Sequence, residues 1–115
     1  MTRGALALSA VVLTLVLASP ASAATALVAT VGPGFTITLT KGGKKVTTLK
    51  PGAYRITVRD RSNLHNFVLT GNGLRKATTV GFVGQRTWNV TLRRGSYRYV
   101  CTPHASMMRG TFRVT

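Results

Sequence analysis

Tyr54, Ile56 and Val58 alternate with Arg55, Thr57 and Arg59. A strict two-residue period of this kind marks a strand with one buried face and one wet face. It excludes a helix there, because a helix would scatter those apolar residues around its circumference. The same reading recurs along the chain. Leu27 to Val31, Phe35 to Leu39, Val46 to Leu49 and Phe67 to Thr70 read as strands. So do three inward rows: Trp88, Val90 and Leu92; Tyr97, Tyr99 and Cys101; Phe112 and Val114. Turn residues separate these runs at Gly32-Pro33-Gly34, Gly42-Gly43, Pro51-Gly52, Gly71-Asn72-Gly73 and Arg93-Arg94-Gly95. Leu74 to Gln85 is the least patterned segment, with a short strand expected near Thr79 to Val83. No ten-residue stretch keeps a clean helical period. Seven to eight short strands in about 90 residues predict an all-β antiparallel sandwich.

The first residues read differently. Met1-Thr2-Arg3 is a short positive start, and Ala5 to Ala18 is an apolar run. It falls short of the ~20 residues that a spanning helix needs. Pro20 follows, and Ala21-Ser22-Ala23 has the small-x-small form of an export cleavage site. Residues 1–23 are therefore expected to be a secretory signal peptide, cleaved before Ala24. Residues 24–115 are expected to form one domain with one core, with no membrane span, exported to the periplasm or cell surface. A monomer is expected.

The one cysteine, Cys101, cannot form an internal disulfide. An unpaired thiol is unusual in an exported chain, because the compartment is oxidising. Holding it as a metal thiolate accounts for its persistence. The neighbouring residues supply the rest of a donor set. Cys101-Thr102-Pro103-His104-Ala105-Ser106-Met107-Met108 places a thiol, an imidazole and a thioether within eight residues. The chain's other histidine is His65. Soft sulfur with imidazole suits copper, and a trigonal His₂Cys site with a long axial Met is the blue-copper arrangement. The candidate ligands are His65, Cys101 and His104, with Met107 or Met108 as the axial donor. Adjacent side chains on an extended segment point to opposite sides, so one methionine serves and the other does not. One copper per chain is expected.

Gly95-Ser96-Tyr97-Arg98-Tyr99-Val100-Cys101-Thr102-Pro103-His104 resembles the ligand loop of plastocyanin-type and amicyanin-type cupredoxins. His104 to Met108 has azurin-like spacing, and Leu64-His65-Asn66-Phe67-Val68-Leu69 is similar to the azurin segment bearing the first histidine. The resemblance spans roughly residues 27–115. It implies a Greek-key sandwich, a type 1 copper site and one-electron transfer. It also implies that Asn66 ties the loop by bonding towards Thr102 and supplies a backbone N–H near the Cys101 sulfur. The edge of His104 would reach solvent through an apolar patch formed by Pro103, Ala105 and Met107, and Val100 would face outward beside the Cys. Arg109-Gly110 after Met108 matches the basic residue and glycine that follow the axial Met in these families, so the resemblance implies the ligand set His65, Cys101, His104 and Met108, with Met107 as the alternative axial ligand. Azurin-like sites add a weak fifth ligand from the carbonyl at the position of Leu64, a point on which the sequence is silent.

Charge bears on partners rather than fold. Sixteen Lys and Arg stand against one acid, Asp60, for a formal charge of +15, or +14 without Arg3. Asp60 itself reads as a turn residue. An acidic redox partner or an anionic cell-surface polymer fits this balance. Nucleic acid fits less well, because the aromatics that alternate with basic residues fall on the inward phase of strands. One carboxylate and no spare histidine argue against an enzyme. The alternatives to electron carriage are copper sequestration or delivery without redox traffic, and a basic polyanion-binding module with a structural metal.

Overall fold

The computed structural model describes residues 2–17 and 23–115. Residues 2–17 carry neither helix nor strand and are exposed. Pro20, Ala21 and Ser22 of the expected cleavage region lie outside the described residues. The rest is a sandwich of two five-stranded sheets. The first holds β1 (Thr25–Val31), β2 (Ile37–Lys41), β3 (Lys44–Lys45), β5 (Gly52–Asp60) and β8 (Gly84–Leu92), in the order β3-β2-β1-β5-β8. The second holds β4 (Thr48–Leu49), β6 (Val68–Gly71), β7 (Leu74–Ala77), β9 (Gly95–Val100) and β10 (Arg109–Val114), in the order β4-β10-β9-β6-β7. Among the described residues the one helical element is a single 3₁₀ turn at Thr102–His104.

The all-β sandwich predicted from alternation is the observed fold, but its sheets are mixed. β1 runs parallel to β5, with Leu27 opposite Ile56, and β10 runs parallel to β4. The cause lies in the path between the strands. β2 and β3 return on the first sheet, β4 crosses to the second, and β5 then re-enters the first beside β1. Local alternation carries no information about which neighbour a strand finds.

Two strand assignments shift. β2 begins at Ile37, and Phe35 lies before it, 57 % exposed. Residues 32–36 close a turn instead: the Gly32 N–H donates to the Thr36 carbonyl, and the Thr36 hydroxyl donates to the Pro33 carbonyl. Thr79 to Val83 is loop, and the strand of that region is Leu74–Ala77. It forms by pairing with β6 across the Gly71-Asn72-Gly73 turn, a tertiary choice that outweighs its weak local pattern.

The inward rows form the core. Leu27, Ala29, Val31, Leu39, Ile56, Val58, Leu69 and Leu92 are buried between the sheets. Each large apolar side chain so placed contributes roughly 1.5–3 kcal/mol relative to exposure. Phe67 stacks on Tyr99, and Tyr97 on Phe112, with ring centroids 5.5 and 5.1 Å apart. The aromatics are thus packed core. The Tyr97 hydroxyl donates to the Arg93 carbonyl and accepts from the Arg93 N–H, which pins the turn into β9. β9 therefore enters the sandwich at a fixed register, and Cys101 follows its last residue at one end of the core.

Candidate metal centre

Cys101 ends the row begun by Tyr97 and Tyr99 and is fully buried. The chain then turns sharply. Pro103 sits in the first turn of the 3₁₀ segment, where its missing N–H costs nothing. The His104 N–H donates to the Cys101 carbonyl, and the Met107 and Met108 N–H groups both donate to the His104 carbonyl. The Cys101 N–H closes the loop on the Met108 carbonyl at 3.0 Å. These bonds hold Cys101, His104 and Met108 as one rigid unit between β9 and β10.

His65 comes from the other side, on the segment leading into β6, and is 2 % exposed. Its Nε2 lies 2.8 Å from the Gly34 carbonyl. A carbonyl only accepts, so Nε2 carries the proton and Nδ1 presents a lone pair. That Nδ1 lies 3.7 Å from the Cys101 sulfur and 3.0 Å from His104 Nδ1, which is 3.6 Å from the same sulfur. The three donor atoms fall within 4.8 Å of one another. First-row ions take nitrogen and thiolate donors at about 2.0–2.3 Å, so donors around one ion lie within roughly 4.6 Å of each other. The triangle fits a single ion without movement of the backbone.

Asn66 joins the two halves. Its Oδ1 accepts from the Thr102 N–H at 2.8 Å, and its Nδ2 donates to Thr102 Oγ1 at 3.0 Å. The expected donation from the Asn66 backbone N–H to the sulfur is not among the hydrogen bonds of the described residues. The polar neighbours of the sulfur are the two imidazole nitrogens. Met108 is fully buried, whereas Met107 is 61 % exposed. Val100 is half-buried, and Pro103 and Met107 are exposed beside a half-buried His104.

Three contributors were not singled out in the sequence. Phe35 packs edge-on against both imidazoles, with centroids 4.9 Å from His104 and 5.5 Å from His65. Gly34 supplies the carbonyl that orients His65, at a φ of +69° that favours glycine. Thr78 is buried, accepts from the Phe67 N–H at 2.8 Å, and receives a long bond from Asn66 through its carbonyl. Alternation assigned Phe35 to a strand face, Gly34 read only as a turn residue, and Thr78 has no signal of its own in the sequence.

Asp60, read as a turn residue, does close a turn by accepting from the Ser62 N–H at 3.0 Å. It is also buried at the end of β5, and its Oδ2 has no partner among the described residues. Burial pushes its carboxyl above the usual range, against the Ser62 N–H and the nearby His65, which pull it down.

Residues 35–115 match the copper binding proteins of the plastocyanin/azurin family. The chain belongs to that family. Its cofactor is copper, one ion per chain, and the His65-Cys101-His104 triangle is the donor group that fits it. Among solved structures it is similar to an amicyanin variant in the Cu(I) state, with TM-score 0.53 and 20 % identity over 79 % of this chain and 83 % of that one. A second amicyanin variant, in a reduced Cu(I) form, aligns over 84 % of this chain and 86 % of its own, with 22 % identity and TM-score 0.49. No curated protein matches the chain. The first of these likenesses bears on the fold, which is that of a cupredoxin sandwich.

Proposed function

We propose that this protein is a one-electron carrier acting outside the cytoplasm, with copper held by His65, Cys101 and His104 and by Met108 as a weak axial donor. The observation that carries the reading is the triangle of lone-pair donors, built from two segments that are already fixed by hydrogen bonds. Copper, when bound, supplies a Cu(I)/Cu(II) couple. The chain's own residues keep the donors in place in both states. The Gly34 carbonyl sets the tautomer of His65, Asn66 ties its segment to Thr102, and the loop bonds hold His104 and Met108 relative to Cys101. A site that need not rearrange exchanges electrons with little reorganisation.

The burial of Met108 and the exposure of Met107 support Met108 as the thioether donor, because a donor to an ion held by His65 and Cys101 would have to lie inside the sandwich. A filled coordination sphere leaves no position for substrate, which supports a carrier rather than an enzyme. Export of residues 24–115 after cleavage of 1–23, a monomeric state and an acidic redox partner complete the proposal. No helix among the described residues is long and apolar enough to cross a membrane.

The test is spectroscopic. Cu(II) should bind at one per chain with an intense thiolate-to-copper band near ~600 nm, the signature of short Cu–S bonding in a trigonal site. Ascorbate should bleach it, and ferricyanide should restore it. Cys101→Ser should abolish the band altogether. A colourless complex in the unaltered protein would sink the reading.

A further inference from the structure

The two ends of the sandwich differ in chemistry. β5 runs from Gly52 to Asp60 towards the copper end, and β8 runs back from Gly84 to Leu92 opposite it. β2 runs away from the copper end, from Ile37 to Lys41, and turns into β3 there. The exposed large apolar residues of the sandwich, Phe35, Leu64, Val80, Val83 and Met107, all lie on segments before β2, between β5 and β6, between β7 and β8, or after β9. Those segments sit at the copper end or lead into it. Among residues 24–115 the far end has none of them.

What the far end has is lysine. Lys41 and Lys44 face each other across the β2–β3 hairpin, and Lys45 is next in line opposite Thr40. Lys50 lies just before β5 begins. All four are exposed. Two adjoining grooves, of about 450 and 340 Å³, share Lys41, Thr48 and Leu49. Lys50 lines the first, and Lys44 and Lys45 line the second. The chain's single acidic side chain is Asp60, buried at the opposite end of β5. No carboxylate side chain of the protein therefore reaches these ammonium groups.

We infer that this lysine-lined end is a docking surface for a flexible, phosphate-bearing polymer outside the cell, and that it holds the protein with its copper end free. Charge complementarity selects an anion. The choice of polymer over bilayer follows from the missing apolar residues: a peripheral membrane surface combines basic groups with side chains that enter the acyl boundary, and here those two features lie at opposite ends. Lysines bind phosphate as mobile point charges, which suits a chain of repeating phosphates rather than one rigid site. The inference goes beyond electron carriage but rests on the proposed removal of residues 1–23, because β1 begins at this end and the apolar run of residues 5–17 precedes it.

The probe is poly(glycerol phosphate) immobilised on a sensor, with the copper-loaded mature protein in solution at graded salt. The far-end variant carries Lys41→Gln, Lys44→Gln, Lys45→Gln and Lys50→Gln. The control removes the same charge elsewhere through Arg55→Gln, Arg59→Gln, Arg98→Gln and Arg109→Gln, all at exposed positions. The far-end variant should lose at least tenfold in affinity at physiological salt, and the control less than threefold. The slope of log affinity against log salt should fall by up to about 3 for the far-end variant, as four phosphate contacts are removed. Equal losses in the two variants would overturn the inference and reduce the effect to net charge. Binding of the unaltered protein to anionic lipid vesicles as tight as to the polymer would also overturn it, in favour of a membrane surface. The ~600 nm band, read in the same samples, reports on the copper site separately.

Discussion

The two histidine segments reach the same point in opposite ways. His65 is held by the body of the sandwich: it is buried, its far nitrogen is bonded to Gly34, and its neighbour Asn66 is fastened to Thr102. His104 is held by a loop that is bonded mostly to itself, and its ring is half-exposed beside Phe35 and Met107. The difference assigns each a task. On the proposed reading, the inner histidine sets the geometry, and the outer one is the side of the site that a partner would approach. A site made of one fixed wall and one self-bonded loop can be disturbed on either side separately.

Gly110→Ala acts on the loop side with the largest expected effect. A Cβ at Gly110 would collide with the ring and hydroxyl of Tyr99, the residue on which Phe67 stacks. Overpacking typically costs about 1–3 kcal/mol, and this contact belongs at the upper end or beyond because neither ring can retreat. A large fall in Tm with a weakened or absent blue band is the expected result. An unchanged Tm would show that β10 can shift without cost.

Asn66→Ala cuts the tie between the two sides. It leaves the Thr102 N–H without its partner, at a cost of about 1–3 kcal/mol where burial is complete and less here, since Thr102 is exposed. The blue band should persist but move or broaden as the loop drifts from His65. A spectrum and Tm identical to the parent would mean that the loop's internal bonds suffice.

Asp60→Asn probes the fixed wall. Burial raises the carboxyl of Asp60, so the folded state holds that proton more tightly than the unfolded chain does. Stability from this group is greatest below the usual carboxylate range near about 4, and it is lost as pH rises through the raised value. The asparagine variant escapes that loss. Its Tm should exceed the parent's by a few degrees at neutral pH, with the gap closing on acidification. A gap that stays constant with pH would show that the carboxylate charge is not its source.

The methionine pair has the smallest expected effect on stability, because Met-to-Leu exchange nearly conserves volume. The reduction potential separates the two. Met108→Leu should raise it, since a thioether donor favours Cu(II) over an alkyl group, while Met107→Leu should leave it nearly unchanged. The reverse outcome would move the axial ligand one residue towards His104.

The sequence alone determined the strands that alternate cleanly, the all-β class, and the metal centre's candidate residues. The reason is that these are local or compositional facts. A two-residue period is visible within nine residues of β5, and a chain with one cysteine and two histidines offers one way to assemble His₂Cys. Spacing left Met107 and Met108 both open; the Arg109-Gly110 that follows Met108 favoured Met108 through the family resemblance, and its burial supports that choice. Only the tertiary structure decided what depends on which strands meet. The parallel pairing of β1 with β5, the strand at Leu74–Ala77, the Gly34 carbonyl on His65 and the edge-on Phe35 all require segments remote in the chain to be brought together. The lysine end belongs to the same class. The composition counts sixteen basic residues, but only the directions of β2 and β5 place Lys41 and its neighbours at the opposite end from the copper, because a strand's direction in a sheet is set by its partners and not by its own residues.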